Sequence, residues 1–445
     1  MLQLATPIVL AEVGWMSMSI VDTMMVGRQK ESAIAIGAVS LGSVLYYVVA
    51  IFGTGLMLGL DTLVSRSYGA GDLEDAHRSL VNGIYLSLGL APILMAVVWL
   101  WEPLLRSLNI QQAVLRQTIP YLRALNWSTL PLLLYFVFRR YLQGINLAKP
   151  VMFSLLSANL INVLGNWAFI YGHFGFRAMG TVGSGWATCI GRVYMATMLL
   201  AYCVYYDLRY KTGLRQASRQ PHLPRVWKLV SLGFPAATQL GLEVGVFAAA
   251  TAMIGKLGAV ALASHQVAMN TASFTYMVPL GIGSAAAVRV GQGLGKRDPQ
   301  SASRAGWTAL TLGASFMTCM ALAFWLVPHY IVSVYSPDPE VIRAASKLLF
   351  VAAFFQLFDG LQAVATGALR GAGETRAPMI CSVLFYWLVG LPLGYYLGFH
   401  LGWGAAGIWT GLCVALILIG CSLLALWRRE ERSFVLRVVP LEIAS

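Results

Sequence analysis

Long apolar runs separated by short clusters of charged and turn-forming residues set the pattern of this chain almost from its first residue to about residue 427. Runs such as Leu90–Leu100, Met195–Val204 and Ile408–Leu426 are rich in Leu, Ala and Val and show no two-residue alternation, which argues for helices and against a membrane β-barrel. A helix needs about 20 predominantly apolar residues to cross a bilayer. The pattern predicts twelve such spans, at 3–27, 36–61, 79–100, 117–139, 150–171, 183–206, 228–254, 260–286, 303–327, 342–368, 378–399 and 404–427. The expected fold is therefore an all-α integral membrane protein.

The chain also repeats itself. Pro7 aligns with Pro235 and Val26-Gly27 with Ile254-Gly255, both at an offset of 228 residues, and Ala33-Ile-Ala35 likewise meets Ala261-Leu-Ala263. Further on, Gly69-Ala-Gly71 meets Gly293-Leu-Gly295 and Leu142-Gln-Gly144 meets Leu369-Arg-Gly371. Six spans per unit is an even number, so both halves enter the membrane in the same sense. That is a parallel internal repeat of two six-helix lobes, with a cavity expected between them. The expected domains are an N-terminal lobe at 1–206, a basic linker at 207–227, a C-terminal lobe at 228–427 and a tail at 428–445.

Composition supports the membrane reading: 58% of residues are hydrophobic, only 11% are charged and the mean hydropathy is +0.70. A net charge of +13 would suggest nucleic acid in a soluble chain, but the basic residues are spread over the interhelical loops, where they act as topology signals. Twenty-one Lys and Arg fall at the loops after even-numbered spans and in the tail, against nine after the odd-numbered ones. Both termini are therefore expected on the cytoplasmic side of an inner (plasma) membrane. The six cysteines sit in apolar segments without a C-x-x-C pair and read as small buried hydrophobes. The apolar run that begins almost at Met1 continues past any plausible signal-peptide core, so no cleavable leader is expected.

Acids inside the spans are the exceptions to this pattern, and a mid-membrane acid usually faces a cavity or a partner. Glu243 in span 7 and Asp359 in span 10 stand well inside their helices, with no Lys or Arg of the second half deep enough to neutralise them. Asp22 lies nearer the outer end of span 1, and its natural companions are Asn162 and Asn166, four apart on one face of span 5. Glu12 is ten residues from Asp22 and about 80° round the helix, and is not assigned to the same cavity. Asp61 lies near the cytoplasmic boundary beside Arg66, where a local ion pair is expected. Gln266 and Asn270 give span 8 a polar face, while His265 reads as a satisfied core histidine. The 17 Met, 19 Phe and 19 Tyr could line a pocket for flat cations, although packing is their default role in a bundle.

Other chemistries find no support. Gly291-Gln-Gly-Leu-Gly295-Lys296 lacks the spacing of a phosphate loop, and no metal-protease or nucleophile-elbow motif is present. Asn126-Trp-Ser128 fits a glycosylation sequon but lies in an apolar span. No enzyme activity and no cofactor are expected, so uphill transport would draw on an ion gradient or a separate subunit. A flippase for lipid-linked substrates is the nearest rival. It would require a cavity lined by several Lys or Arg, whereas the span assignment leaves only Arg192 inside a helix.

Several motifs in order resemble the multidrug and toxic compound extrusion (MATE) transporters, most closely their NorM-type branch. They are Pro7 with Val21-Asp22-Thr23 and Gly27; Asn162-x-x-x-Asn166-Trp-Ala-Phe-Ile-Tyr-Gly-His-Phe-Gly175; Ser264-His-Gln266 with Asn270; Gln356-Leu-Phe-Asp359; Leu369-Arg-Gly-Ala-Gly373 with Thr375; and Tyr386-Trp-Leu-Val-Gly-Leu-Pro392. The resemblance implies an exporter of cationic, lipophilic, drug-like compounds in exchange for Na⁺ or H⁺, working by alternating access and as a monomer in the lipid bilayer. It implies that Glu243, Asp359 and Asp22 bind the coupling cation, with Na⁺ possible at Glu243 and Asp359. Asn162, Asn166, Gln266, Asn270, Phe355 and Tyr386 are expected to line the cavity. Phe355 stands where the NorM pattern often has Tyr, which removes a phenol oxygen from a Na⁺ site of that kind. Leu60-Asp-Thr-Leu63 with Gly69-Ala70 is similar instead to the eukaryotic branch.

Overall fold

The structure, a computed structural model, describes residues 1–29, 32–107, 111–218, 220–335 and 337–438, the last four by backbone alone. Arg219 of the expected linker and residues 439–445 of the expected tail lie outside the described residues. Among the described residues the chain is helical without strands. The first half holds α1 (Leu2–Val26), α2 (Ser32–Leu56), α3 (Gly59–Gly69), α4 (Leu73–Ser107), α5 (Gln112–Asn126), α6 (Thr129–Gly144), α7 (Ala148–Tyr171) and α8 (Thr181–Tyr210). The second holds α9 (Leu223–Gly255), α10 (Ala259–Gly295), α11 (Pro299–Leu326), α12 (Pro328–Ser333), α13 (Pro339–Gly371), α14 (Arg376–Ser382), α15 (Leu391–Tyr395) and α16 (Gly404–Val438). Two π-helical stretches, Val383–Gly390 and Tyr396–His400, join α14 and α15 into one continuous span.

Eleven helical stretches of the described residues are long and apolar enough to cross a membrane. The twelfth expected span is the broken pair α5 and α6. Pro131 has no N–H for the carbonyl of Trp127 and its ring crowds that carbonyl, so the helix is interrupted at Trp127-Ser128, and neither piece is long enough alone. Most spans overrun their expected ends. The 37 residues of α10 would extend about 55 Å at 1.5 Å per residue, well beyond a bilayer core of about 30 Å. The expected tail likewise begins as a continuation of α16, where Glu431 accepts from the Trp307 indole at 2.9 Å. The expected linker begins inside α8, and Asp207 folds its turn by accepting from Thr212 Oγ1 and the Leu214 amide, both at 2.8 Å. Cys319 and Cys421 are exposed on their helices, unlike the other four cysteines; on an apolar span such a position suits lipid.

The chain divides into two compact units, one Leu10–Ala237 and the other Met1–Val9 with the chain from Thr238 onward. The division falls after Val9 and after Ala237, two positions that also differ by 228 residues. Each lies two residues past a proline inside a helix, Pro7 in α1 and Pro235 in α9. Helix α9 thus begins in one unit and ends in the other. Its first part packs very closely on α2, where a Cβ at Gly55 would stand 2.5 Å from the Cα of Ala237.

Candidate functional site

In the unit that contains the second half, α9 and α13 bring Glu243 and Asp359 within electrostatic range of each other. Two amides grip one oxygen of Glu243: Nε2 of Gln362 donates to Oε1 at 2.7 Å and Nε2 of Gln239 donates to it at 3.0 Å. The Tyr386 hydroxyl donates to Oε1 of Gln362 at 3.1 Å, which fixes which way that amide faces. Tyr386 is buried in the π-helical stretch Val383–Gly390, and such stretches often mark functional sites. Oε2 of Glu243 and both carboxylate oxygens of Asp359 receive no protein hydrogen bond among the described residues, and no Lys, Arg or His pairs with either acid. Both acids are half-buried. Two carboxylates held in one low-dielectric site repel unless a proton or cation stands with them.

The neighbouring polar groups are accounted for differently. The Trp409 indole donates to Nδ1 of His265 at 3.0 Å, and Nε2 of His265 lies 2.8 Å from Oγ1 of Thr251. An indole N–H only donates, and the Thr251 hydroxyl already donates to the Phe247 carbonyl at 2.9 Å. His265 therefore carries its proton on Nε2 and is satisfied at both nitrogens. Phe355 is buried with its ring 5.9 Å from that of Trp409, so it packs into the same chain of contacts. Gln266 and Asn270 share an exposed face of α10.

In the other unit, Asp22 on α1 meets Asn166 on α7 and Thr188 on α8. Nδ2 of Asn166 donates to Oδ1 at 2.6 Å and Oγ1 of Thr188 donates to Oδ2 at 3.2 Å. Asn166 also donates to Oδ1 of Asn162 at 3.1 Å, as their spacing on one helical face suggested. Asp22 lines a cavity together with Tyr47, Tyr121, Thr188 and Arg192. The space in it open to water-sized molecules is about 30 Å³, room for one or two waters.

The other two acids of this unit that fell inside the expected spans, Glu12 and Asp61, are neutralised across helices. Glu12 is ion-paired with Arg139, and Asp61 with Arg140 at 3.5 Å. Both arginines are buried in α6. The sequence reading had placed them at the loop end of span 4 and left Arg192 as the lone basic residue within a span. That count is corrected, because α6 continues to Gly144. Sequence reasoning also passed over Gln239, Gln362 and Thr188. Their signal was helical spacing: Gln239 stands four before Glu243, Gln362 three after Asp359 and Thr188 four before Arg192.

The MatE family profile matches residues 7–168 and again residues 235–396, so both matches start and end 228 residues apart. The chain belongs to the MatE family. It is 37% identical over 438 residues to the probable multidrug resistance protein NorM of Mesorhizobium japonicum, covering 97% of this chain and 93% of that one. It is 34% identical over 444 residues to the multidrug resistance protein NorM of Burkholderia vietnamiensis, covering 98% and 95%. Among solved structures, the eukaryotic MATE transporter AtDTX14 superposes with a TM-score of 0.86 at 20% identity, covering 98% of both chains. A MOP-superfamily transporter from Pyrococcus furiosus, described as having a binding pocket of reverse polarity, superposes with a TM-score of 0.83 at 19% identity over 98% and 96%. This MatE-family chain is thus a multi-pass membrane transporter and not an enzyme, on a duplicated twelve-helix fold.

Proposed function

We propose that this transporter exports cationic, lipophilic, drug-like compounds in exchange for Na⁺ or H⁺, and that Glu243 and Asp359 hold the coupling cation. The observation that carries this reading is the pair of intramembrane carboxylates with no basic partner and three oxygens open among the described residues. Oxygen donors of this kind suit a hard cation or a proton. The names of the relatives, multidrug resistance proteins, support the drug cargo. A shared fold does not by itself fix the cargo, as the reverse polarity described for the Pyrococcus furiosus relative indicates. A flippase for anionic lipid-linked substrates would need unpaired basic groups in its cavity, and Arg139 and Arg140 are committed to Glu12 and Asp61. Asp22 is the acid of the other half's cavity and takes part in transport without holding the exchanged cation. Asn162 and Asn166 orient it, and Gln266, Asn270, Phe355 and Tyr386 serve as lining groups.

In operation, a cation arriving from outside occupies Glu243 and Asp359. Its charge antagonises a bound cationic drug, which is released as access alternates. One chain supplies every group invoked, so a monomer suffices. The chain resides in the inner membrane with both termini cytoplasmic.

Purified protein in liposomes with imposed Na⁺ or proton gradients, assayed for ethidium movement, tests this reading. One of the two gradients is expected to drive uphill transport; insensitivity to both would overturn the proposal. For orientation, a cysteine at Lys211 should be shielded from an impermeant thiol reagent in intact cells while one at Asp338 reacts. The opposite labelling would reverse the topology.

A further inference from the structure

We infer that Arg192 is a tethered counter-cation for Asp22, so that the cavity of the first half is already charge-balanced and exchanged charge is confined to Glu243 and Asp359. The inference rests on the cation-coupled reading above and assigns Arg192 a part in it. Arg192 is fully buried in the middle of α8, where an arginine keeps its charge. Its guanidinium is held beside the carboxylate without touching it. Nη1 donates to Oγ of Ser128 at 2.6 Å and Nη2 to the Tyr47 hydroxyl at 3.3 Å. It also lies over two ring faces, 4.9 Å from the centroid of Tyr46 and 5.8 Å from that of Tyr47.

Asp22 and Arg192 line one cavity and lie within electrostatic range of each other. The other titratable groups facing the pair are Tyr46 and Tyr47 of α2, Tyr121 of α5 and Cys189 of α8. Among the described residues, no second acid, lysine or histidine lines the cavity. One carboxylate and one guanidinium sum to zero, whereas Glu243 and Asp359 sum to two negative charges when ionised. A mobile cation entering beside Asp22 would share a low-dielectric cavity with a fixed positive charge, which disfavours it. The ring faces and the two hydroxyls explain why the guanidinium stays in place without a direct ion pair.

The test is the number of coupling cations exchanged per ethidium, read from reversal potentials in proteoliposomes. Arg192→Leu should raise that number by one, because Asp22 then needs a mobile cation. Arg192→Gln, which keeps polar contacts for Ser128 and Tyr47, should do the same and serves if the leucine variant does not fold. Arg192→Lys should keep the wild-type ratio, and Arg192→Gln combined with Asp22→Asn should restore it. A wild-type ratio in folded Arg192→Gln overturns this inference while leaving the coupling reading intact, provided Glu243→Gln still loses coupling. If wild-type transport responds to neither gradient, the coupling reading fails and this inference falls with it.

Discussion

The two halves of this transporter share a backbone plan but put charge in different places. At the offset of 228 residues, Glu12 answers to Leu240, Asp22 to Ala250, Asn162 to Gly390 and Asn166 to Gly394. In the opposite direction, Glu243 answers to Trp15 and Asp359 to Pro131. The duplicated fold therefore requires none of these polar groups. Where the first half keeps Asn166 on Asp22 and Asn162 on Asn166, the second closes the space with glycines: a Cβ at Gly390 would stand 2.8 Å from that of Ala415, and one at Gly394 3.0 Å from the Ile408 carbonyl. Where the second half keeps Glu243, the first packs Trp15 on Tyr135, their rings stacked at 6.1 Å. The first half also gives each of its acids inside the bundle a positive neighbour: Arg139 for Glu12, Arg140 for Asp61 and Arg192 for Asp22. The second leaves Glu243 and Asp359 without one. Ion-paired acids such as Glu12 and Asp61 suit a scaffold, and unpaired carboxylates suit an exchanger.

The largest effect should come from the unpaired acids. Glu243→Gln and Asp359→Asn should each abolish gradient-driven efflux while the protein stays folded, with the double variant little worse than either single one. Proteoliposome transport alongside thermal unfolding checks this; coupling to the same ion at wild-type stoichiometry in both single variants would move the site elsewhere. Asp22→Asn should leave the protein folded but cripple efflux, since it removes the balancing charge of Arg192. Unchanged drug resistance at equal expression would reduce Asp22 to a structural carboxyl.

Paired acids should show up in stability instead. Arg139→Leu leaves Glu12 buried alone, and breaking a buried pair from one side costs about 3–5 kcal/mol. Replacing both partners with leucine should recover most of that loss. An unfolding midpoint for Arg139→Leu equal to wild type would remove the distinction between scaffold and exchanger charges. The smallest effect is expected at His265. His265→Phe strands the Trp409 indole N–H, an unsatisfied buried donor costing about 1–3 kcal/mol, but should leave the pH dependence of efflux unchanged. A shifted pH profile would make His265 a proton carrier.

Much of the fold was legible because bilayer thickness and backbone satisfaction leave an apolar sequence few options. All twelve spans lie where the apolar runs place them, and the duplication shows in the proline and glycine positions. Helix ends were not legible, because a helix does not stop where the bilayer does. That is why Arg139 and Arg140, five and four residues before the end of α6 at Gly144, were assigned to a loop. The acids stood out because their cost in lipid is a property of the residue itself. Their ion-pair partners did not, since the approach of Arg139 to Glu12 depends on helix packing that no local spacing encodes.

The central claim is that a cation and a cationic drug oppose each other through Glu243 and Asp359, and equilibrium binding to purified protein tests it most directly. Fluorescent ethidium bound to the wild type should be displaced as Na⁺ or protons are titrated in, and the same titration of folded Glu243→Gln should leave the dye bound. Displacement of equal midpoint and amplitude in both proteins would contradict the account.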